Sequence, residues 1–552
     1  MHRLYYGDNL EVLRKYIADE SVDLIYLDPP FNSQANYNIL YKEQNGSQSA
    51  SQIKAFSDFW HWDQEAQNTF EDLVSNPSYP PNLKKLIISI HDFLGNNDMS
   101  AYLVMMAVRL VELRRVLKNT GSIYLHCDPT ASHYLKILMD SIFGPENFRN
   151  EIAWKRTTAH SDIRKYGRNA DRILFYTKSD DYFFTPQYSV YDEEYVSKTY
   201  KNKDEKGYFM SDNLTGAGIN NNDKPWHGYD PSKRGRHWAI PVKPVEELAD
   251  TKSDKMSTID KLELLYKNGL VYFTSNGTPR FKRYLSSQKG ISVQEIWTDI
   301  PPVSSQAAER LGYPTQKPLS LLERIITVSS KENDVVLDPF CGCGTALDAA
   351  EKLHREWIGI DVTHLAINVI KKRLRDRYPD VEFEVIGEPK DLEGARELAK
   401  QDRYQFQWWA CSLIDAAPYE NKKRGADTGI DCVLYNPVKG TSRTYYGIVQ
   451  VKSGNVNSSQ VRDFKGTMER EKADYGIFLT LEDPTEPMNK EAVVAGHIKT
   501  EWNASIPKVQ ILTIKELLEG KQPEFPFPPD NYNTATRGKR ASKTAEQKTL
   551  QE

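Results

Sequence analysis

Short apolar runs recur through the first two thirds of the chain, and each ends in small or polar residues. The runs are Val22–Leu27, Ser122–Leu125, Arg172–Tyr176, Asp334–Leu337 and Trp357–Ile360. Such runs indicate strands that are buried on both faces. Helical patterns alternate with them at Ala101–Lys118, Ala131–Phe143 and Thr345–His354. Strands that alternate with helices predict an α/β fold with a mostly parallel sheet.

The pattern changes twice along the chain. From about residue 182 to 297 it fades into Gly, Asn, Asp, Lys and aromatic residues, which indicates an inserted module. After Pro389 a charged helix near Asp391–Asp402 leads into a second strand-rich segment that ends near Leu518. We therefore predict one domain at residues 1–390, a second at 403–518 and a disordered basic tail at 520–552.

Composition narrows the class of protein. With 39% hydrophobic and 27% charged residues and no apolar run long enough to span a membrane, we expect a soluble protein with no membrane partner. The N-terminal residues lack the apolar stretch of a secretory signal, so a cytoplasmic location is expected. Five cysteines without a framework spacing fit a reducing compartment, and no disulfide is expected.

A local basic surface is compatible with the net charge of −4. Basic and aromatic residues are interleaved within the inserted module, at Lys224, Trp226, His227, Tyr229, Lys233, Arg234, Arg236, Trp238, Arg280, Phe281, Lys282 and Arg283. Such a mixture can neutralise phosphates and stack on bases. A solvated, irregular surface is the alternative interpretation.

A glycine-containing turn predicts a nucleotide-like ligand. The segment Asp338–Thr345 follows a strand and opens a helix, where glycines let a ligand approach the backbone closely. The next strand ends in Asp361, a carboxylate that can accept hydrogen bonds from the two hydroxyls of a ribose. Cys341 and Cys343 form a poor zinc set because no further Cys or His pair lies nearby. A nucleoside cofactor is therefore expected.

The tetrapeptide Asp28-Pro29-Pro30-Phe31 ends the strand Val22–Leu27, so it should project into the ligand crevice at the carboxyl edge of the sheet. Taken alone, it fits a plain strand-ending turn. Next to a nucleoside site, however, the tetrapeptide indicates an enzyme that acts on an amino group. Asp28 and a proline carbonyl can accept hydrogen bonds from both hydrogens of adenine N6 and localise its lone pair. Phe31 offers a face for an extruded base.

These segments resemble the amino-group DNA methyltransferases of the circularly permuted beta type, similar to the modification subunits of Type III systems. The resemblance covers roughly residues 4–385, with the catalytic block first, the cofactor glycines last and a recognition region, here about 182–297, between them. Gly7-Asp8-Asn9 with Val22–Phe31 resembles the catalytic block, and Thr315-Gln316-Lys317-Pro318 resembles a cofactor motif. The family implies a Rossmann-like, S-adenosylmethionine-dependent fold that acts on double-stranded DNA.

The same resemblance assigns roles to individual residues. Methyl transfer falls to Asp28, Pro29, Pro30 and Phe31. The methionine part of the cofactor would be bound by Asp338, Phe340, Gly342, Gly344 and Thr345. Asp361 would bind the ribose and Asp8 would lie on the adenine side. The carboxylate end would be bound by Thr315, Gln316 and Lys317. His126-Cys127-Asp128 should lie near the same edge, where we expect a capped loop outside catalysis.

Aspartate at position 28 favours adenine as the target base. The family's cytosine-N4 members usually carry Ser-Pro-Pro-Tyr, whereas its adenine-N6 members carry Asp-Pro-Pro-Phe or Asp-Pro-Pro-Tyr. Adenine-N6 methylation is therefore the prediction, with cytosine-N4 methylation as the alternative. The recognition sequence and the oligomeric state stay open, a homodimer included.

The C-terminal segment carries a second candidate site on a predicted hairpin. Alternation along strand Tyr445–Lys452 puts Gln450 and Lys452 on one face, and antiparallel pairing with strand Cys432–Tyr435 brings Asp431 beside them. An acid, an amide and a lysine can bind a divalent cation and stabilise charge on a phosphate.

Residues 403–518 resemble the Mrr-like branch of the PD-(D/E)xK nucleases. By this resemblance Asp431 would hold Mg²⁺, with Gln450 and Lys452 completing the nuclease site. Gln450 replaces a second acid and Gln407 stands where a first-helix Glu is common, and both changes weaken metal binding. We expect a fused restriction-modification enzyme. The alternatives are a solitary methyltransferase whose C-terminal domain only binds DNA, and a non-enzymatic DNA-binding protein.

Overall fold

A computed structural model describes residues 2–30, 61–157, 164, 166–220, 223–304, 307, 309–311, 313, 315–419, 429–438, 443–500 and 505–526. Phe31 and residues 527–552 of the expected tail lie outside the described residues. The chain divides into two compact units, one made of Met1–Thr185 with Glu295–Glu552 and one of Pro186–Gln294. No helix among the described residues is both long and apolar enough to cross a membrane.

The first unit begins with strands and helices in alternation. The elements of residues 2–185 are β1 (His2–Tyr6), α1 (Asn9–Tyr16), β2 (Val22–Leu27), α2 (Gln64–Ser75), α3 (Pro81–Leu94), α4 (Asp98–Val116), β3 (Leu117–Cys127), α5 (Ser132–Phe143), β4 (Phe148–Lys155) and β5 (Ala170–Thr177). Helix α4 lies in the core, with Leu103, Met106 and Leu110 fully buried, because its sequence is apolar on nearly every side.

The second unit has a small sheet and a core of its own. Its elements are β6 (Tyr188–Ser189), α6 (Glu193–Thr199), β7 (Asn202–Asp204), β8 (Gly207–Asn213), β9 (Thr215–Ala217), β10 (Arg236–Trp238), α7 (Val242–Ala249), α8 (Thr258–Lys267), β11 (Val271–Phe273), β12 (Pro279–Tyr284) and β13 (Ile291–Ser292). The largest sheet has the order β11-β12-β8-β7 and is antiparallel.

The expected surface of interleaved basic and aromatic side chains is only partly present. Trp226, Tyr229, Trp238 and Phe281 are at most 8% exposed and form the core of this unit, so the expectation that they stack on bases is wrong. A module of this size needs apolar side chains for its own interior, and these aromatics supply it. Several of the basic side chains have partners within the unit. The pairs are Lys282 with Asp204, Arg283 with Asp212, Arg280 with Asn213, and Arg236 with Thr215. Exposed members of the set are Lys224, His227, Lys233 and Arg234.

The first unit resumes with the elements that complete its main sheet. They are β14 (Ile296–Trp297), α9 (Leu319–Ser329), β15 (Val335–Asp338), α10 (Thr345–Lys352), β16 (Glu356–Asp361), α11 (His364–Arg377) and β17 (Phe383–Ile386). Among the described residues this sheet has nine strands, in the order β14-β4-β5-β3-β2-β15-β16-β1-β17. Strand β5 is antiparallel to both of its neighbours, and the remaining neighbours pair in parallel.

The sheet confirms the predicted α/β architecture. Strand β15 pairs in parallel with β2, from which it is separated by some 300 residues of sequence, with Val336 opposite Leu24 and Leu337 opposite Ile25. The carboxyl ends of β1, β2, β15 and β16 therefore meet at one edge of the sheet. Those ends carry Asp8, Asp28, Asp338 and Asp361.

The remaining residues form a second sheet with helices on both faces. The elements are α12 (Leu392–Gln401), α13 (Arg403–Ser412), β18 (Ala417–Pro418), β19 (Cys432–Pro437), β20 (Thr444–Lys452), α14 (Ser458–Arg470), β21 (Tyr475–Thr480), α15 (Glu486–Val494), β22 (His497–Lys499), β23 (Ser505–Pro507), β24 (Val509–Thr513) and α16 (Ile514–Leu518). The order β18-β19-β20-β21-β24 contains the predicted hairpin, β19 with β20, followed by parallel strands.

The expectation that the chain has no disulfide is wrong. Cys411 and Cys432 are bonded, with their Cα atoms 6.4 Å apart. Helix α13 packs against the sheet so that both cysteines lie in the same buried cluster, a proximity that the sequence spacing does not reveal. Cys127, Cys341 and Cys343 are free and buried.

Candidate functional site

A cleft of about 880 Å³ opens at the edge where the four acids meet. Asp8, Asp28, Asp338 and Asp361 all line it. The other proposed site residues on its wall are Pro29, Pro30, Thr315, Gln316, Lys317, Phe340, Gly342 and Thr345. The structure thus brings together residues from both ends of the first 361 positions, and a cleft of this volume is large enough for a nucleoside-sized ligand.

Asp28 lines the cleft and has one unsatisfied acceptor oxygen. Its Oδ2 pairs with Nζ of Lys317, whereas its Oδ1 is buried and has no hydrogen-bond partner among the described residues. A buried carboxylate oxygen without a donor is costly, so it favours a ligand that brings one. Pro29 follows on the same wall and donates no backbone hydrogen bond.

The glycine turn joins β15 to α10 and is fixed by positive backbone angles. Gly342 has φ +50° and Gly344 has φ +73°, a region that glycine adopts without strain. At Gly344 a side chain has no room, because a Cβ would lie 2.7 Å from Cγ1 of Ile370. Gly344 ends the turn as the N-cap of α10 behind the cleft wall, whereas Gly342 lies on the wall itself.

Asp361 connects the end of β16 to this turn. Its Oδ2 accepts a hydrogen bond of 2.9 Å from the Gly342 N–H, and its Oδ1 accepts from both the N–H and the hydroxyl of Thr363. The carboxylate is therefore held in one orientation at the cleft wall. Lone pairs that remain on its oxygens can accept from a ligand's hydroxyls.

Burial raises the pKa of two carboxyl groups that line the cleft. It raises the pKa of Asp338 well above the usual range, although the Phe340 N–H donates to this carboxyl. It raises the pKa of Asp361 to about 6, against the hydrogen bonds from Thr363 and Gly342. Asp28 and Asp361 add further negative charge near Asp338. A cationic ligand would offset this repulsion between buried carboxylates.

Asp8 also stabilises the structure around the cleft, a role that the sequence did not suggest. Its Oδ1 caps α1 by accepting from the Leu10 N–H at 2.8 Å, and its Oδ2 pairs with Arg109 at 2.6 Å. Arg109 also donates to Asn9, whose side-chain amide donates to the Pro339 carbonyl. Asp8 thus lies on the cleft wall as part of a network that braces the glycine turn.

The segment 315–317 is also partly structural. Gln316 accepts from the Leu311 N–H and donates to the Glu309 carbonyl, so it shapes the loop before α9. Thr315 is exposed on the cleft, and Lys317 is the cation beside Asp28. Within this segment, the Thr315 hydroxyl and the Lys317 ammonium are therefore the side-chain groups suited to bind a ligand carboxylate.

Arg373 of α11 supports the glycine turn from behind and was missed by the sequence analysis. Its guanidinium donates to the Cys343 carbonyl and the Thr345 hydroxyl, both at 3.0 Å, and to Asp348 at 2.7 Å. Arg373 and Asp348 are both buried. The only sequence signal was a basic residue on the apolar side of a helix, which does not point to a turn 30 residues earlier.

His126 belongs to a buried chain of polar groups that reaches the cleft. Its Nδ1 lies 2.9 Å from the Tyr26 hydroxyl and its Nε2 lies 3.1 Å from Asp171, which lines the cleft with Arg156. Burial opposes the charge of Asp171, but His126 and Arg156 more than compensate and lower its pKa. Asp128 instead caps its own turn by accepting from the Thr130 N–H.

The second candidate site has the predicted arrangement of strands. Register pairs Cys432 with Val449, which places Asp431, the residue before β19, beside Gln450. One oxygen of Asp431 accepts from the Val451 N–H at 2.7 Å, and Gln450 is 8% exposed. Among the described residues no group of three His, Cys, Asp or Glu is arranged to hold a metal ion. A metal here would depend on one carboxylate, an amide oxygen and water.

Two family models match the parts of the chain that carry the candidate sites. A family model described as DNA methylase, for the N6/N4 class, matches residues 22–372. The chain belongs to this DNA methylase family. A model described as restriction endonuclease, of the Mrr catalytic type, matches residues 398–518. This methylase family member therefore carries a C-terminal restriction endonuclease domain.

Individual relatives are named as a methyltransferase and as a subunit of a restriction-modification enzyme. The Type II methyltransferase M.EcaI of Enterobacter cloacae is 32% identical over 277 residues, which are 50% of this chain and 57% of that protein. The StyLTI Mod subunit, of a Type III restriction-modification enzyme from Salmonella typhimurium, is 27% identical over 64% of this chain and 50% of that protein. The chain thus spans about half the length of these curated relatives.

Among solved structures, a putative DNA modification methylase from Thermus thermophilus, complexed with S-adenosyl-L-methionine, is 16% identical. The match covers 70% of this chain and 99% of that one with a TM-score of 0.32. This score is too low for a residue-by-residue comparison.

Replacing Arg373 with Met tests the support of the glycine turn. We expect the free energy of unfolding to fall by about 2 kcal/mol, because the Cys343 carbonyl and the Thr345 hydroxyl lose a buried donor while Asp348 keeps Arg377 and Tyr378. Urea unfolding followed by tryptophan fluorescence measures the loss. Lys352→Met is the matched control, since Lys352 and Glu323 form a partly exposed pair that contributes about 0.5 kcal/mol or less. Equal losses in the two variants would contradict the assignment.

Proposed function

We propose that this chain transfers a methyl group from S-adenosylmethionine to N6 of adenine in double-stranded DNA. The observation that carries the proposal is Asp28, which lines the cleft and whose buried Oδ1 has no donor among the described residues. Family membership and relatives named as Type II and Type III DNA-modifying proteins support it.

The chemistry follows from the acceptors at the end of β2. The lone pair of adenine N6 is delocalised into the ring, so the amine is a poor nucleophile. Asp28 Oδ1 accepts a hydrogen bond from one amino hydrogen, and a proline carbonyl of the Pro29-Pro30 pair accepts from the other. Binding both hydrogens localises the lone pair toward the cleft, after which the reaction needs mainly alignment.

S-adenosylmethionine suits the residues that line the rest of the cleft. When bound, it supplies an electrophilic methyl group on a positively charged sulfur. Asp338 and Asp361 line the cleft, where a bound cation would favour their ionised forms, and Asp361 can accept from the ribose hydroxyls. Lys317 would hold the carboxylate of the cofactor while it remains next to Asp28. The glycine turn lets the ligand approach the backbone.

Target recognition is assigned to the second compact unit, residues 186–294. Its exposed basic side chains, such as Lys233 and Arg234, can bind phosphates, while its aromatic residues build its core. The DNA substrate, the cofactor S-adenosylmethionine and a cytoplasmic location of this chain all belong to this proposal.

Asp28→Ala is expected to lower the rate of methyl transfer into DNA by about 100-fold or more, because the acceptor that orients the amine is lost. Transfer of labelled methyl groups, followed by mass spectrometry of nucleosides, measures both the rate and the base modified. Asp19→Ala, at an exposed position, serves as the control and keeps the wild-type rate. N4-methylcytosine as the product would contradict the adenine assignment, and an unchanged rate in Asp28→Ala would contradict the mechanism.

Cofactor binding should weaken as pH falls through about 6. The ribose hydroxyls bind best to an ionised Asp361, whose pKa in the ligand-free protein is raised to about 6 by burial. Protonation therefore competes with binding at lower pH, and the Kd for S-adenosylmethionine rises by up to about tenfold per pH unit below that value. Calorimetric titration between pH 5 and pH 8, at about half-unit steps, checks this. If the Kd of Asp361→Asn rises with falling pH as steeply as that of the wild type, the explanation is wrong.

We further propose that the C-terminal domain cleaves DNA in the presence of Mg²⁺. The juxtaposition of Asp431, Gln450 and Lys452 at the end of a hairpin, within the restriction endonuclease match, favours this second activity. Mg²⁺ commonly keeps several waters and one or two carboxylates, which suits a site with a single acid. Cleavage should require the unmethylated site, because a nuclease that cut the chain's own product would attack the host chromosome.

Asp431→Ala and Lys452→Ala should each lower Mg²⁺-dependent cutting of unmethylated plasmid by about 100-fold or more, since they remove the metal ligand or the charge beside the phosphate. Methyl transfer should be unaffected. Lys490→Ala, an exposed lysine of the same domain, is the control. Cutting restricted to premethylated DNA would contradict the proposal, and no cutting by the wild type would favour a domain that only binds DNA.

A further inference from the structure

The cleft of the methylase is lined by a side chain from outside the methylase match. Trp408 lies on its wall, although it belongs to α13 and to the residues that match the restriction endonuclease model, 398–518. The indole is 6% exposed, so it is a packed part of the wall. Both segments belong to the first compact unit.

Helix α13 is anchored directly to the element that follows Asp361. The side-chain oxygen of Gln405, which is 4% exposed, accepts a hydrogen bond of 3.1 Å from the His364 N–H at the start of α11. The His364 ring stacks on Tyr6 with the centroids 3.7 Å apart. Asp402 caps α13 by accepting from the Tyr404 N–H. The position of Trp408 is therefore set by buried contacts to the methylase.

The neighbours of Trp408 on the cleft wall indicate which part of a ligand it meets. Val362 and Leu365, which also line the cleft, lie one and four residues after Asp361 and are apolar. Helix α11, which carries Leu365, packs against α13. A purine attached to a ribose at Asp361 would lie against this apolar wall and contact the part of the indole that reaches the cleft.

We infer that Trp408 binds the adenine ring of the cofactor, so that the endonuclease domain completes the cofactor site of the methylase. This inference rests on the proposed function, because it takes the ribose to bind at Asp361. Binding is reciprocal: a cofactor that touches α13 must stabilise the docking of α13 against α11 to the same extent that docking strengthens cofactor binding.

Titration of the full chain with two ligands tests the inference. S-adenosylmethionine has both an adenosine and an amino-acid end, and 5′-methylthioadenosine has only the adenosine end. In Trp408→Leu, which keeps an apolar side chain, the Kd for both ligands should rise by about tenfold or more. Trp408→Phe should stay within about threefold of the wild type, since a ring is retained. Lys317→Met should weaken only S-adenosylmethionine.

Two further measurements separate ligand contact from damage to the fold. Phe93→Ala removes an aromatic ring that is 79% exposed and should leave both Kd values unchanged. Hydrogen exchange in residues 403–412 should slow when S-adenosylmethionine is added to the wild type, and this protection should be lost in Trp408→Leu. Melting temperatures of the variants report their folding.

The outcomes distinguish this inference from the proposed function. Wild-type affinity for both ligands in Trp408→Leu overturns the contact with adenine. Equal weakening in Trp408→Leu and Phe93→Ala also overturns it. If the wild type binds neither ligand, the proposed function itself fails, and the inference fails with it.

Discussion

The parallel pairing of β2 with β15 is the constraint on which the rest of the site depends. It joins Leu24 to Val336 across more than 300 residues and brings the ends of both strands to one edge. Asp23 reinforces the pair, because its carboxylate accepts from the Val335 N–H at 2.9 Å and pairs with Lys118. Without this register Asp28 and the glycine turn would have no common cleft, whatever their own sequences.

Backbone N–H groups hold three acids of the cleft in fixed orientations. Asp338 accepts from the Phe340 N–H, Asp361 from Gly342, and Asp8 from Leu10, each at 3.0 Å or less. The donors to Asp338 and Asp361 favour the ionised forms, but burial outweighs them and raises the pKa of both groups. The cost of this repulsion is relieved when a cation binds, which couples the stability of the site to its ligand.

Sequence patterns predicted the features that local chemistry controls. Apolar runs gave the strands of the main sheet, and residues at strand ends gave the acids of the cleft, because an open parallel sheet exposes its carboxyl edge. The supporting groups could not be predicted in this way. Arg109, Arg373 and Trp408 reach the site from helices whose packing is set by distant contacts. Likewise, the sequence predicted that the aromatic residues of the inserted module stack on nucleobases, whereas the structure places them in the core of that module.

The same anchoring recurs in the C-terminal domain, where the Val451 N–H holds one oxygen of Asp431. An acid fixed by the backbone of the neighbouring strand keeps its direction even when a second acid is replaced by Gln450. Orientation and ligand count are separate requirements for a metal site, and this hairpin satisfies the first more fully than the second. Because β20 also carries Val449 and Val451 into the core that contains α13, the strand that orients Asp431 packs on the helix that bears Trp408. The two candidate sites are therefore built on adjoining elements of one core.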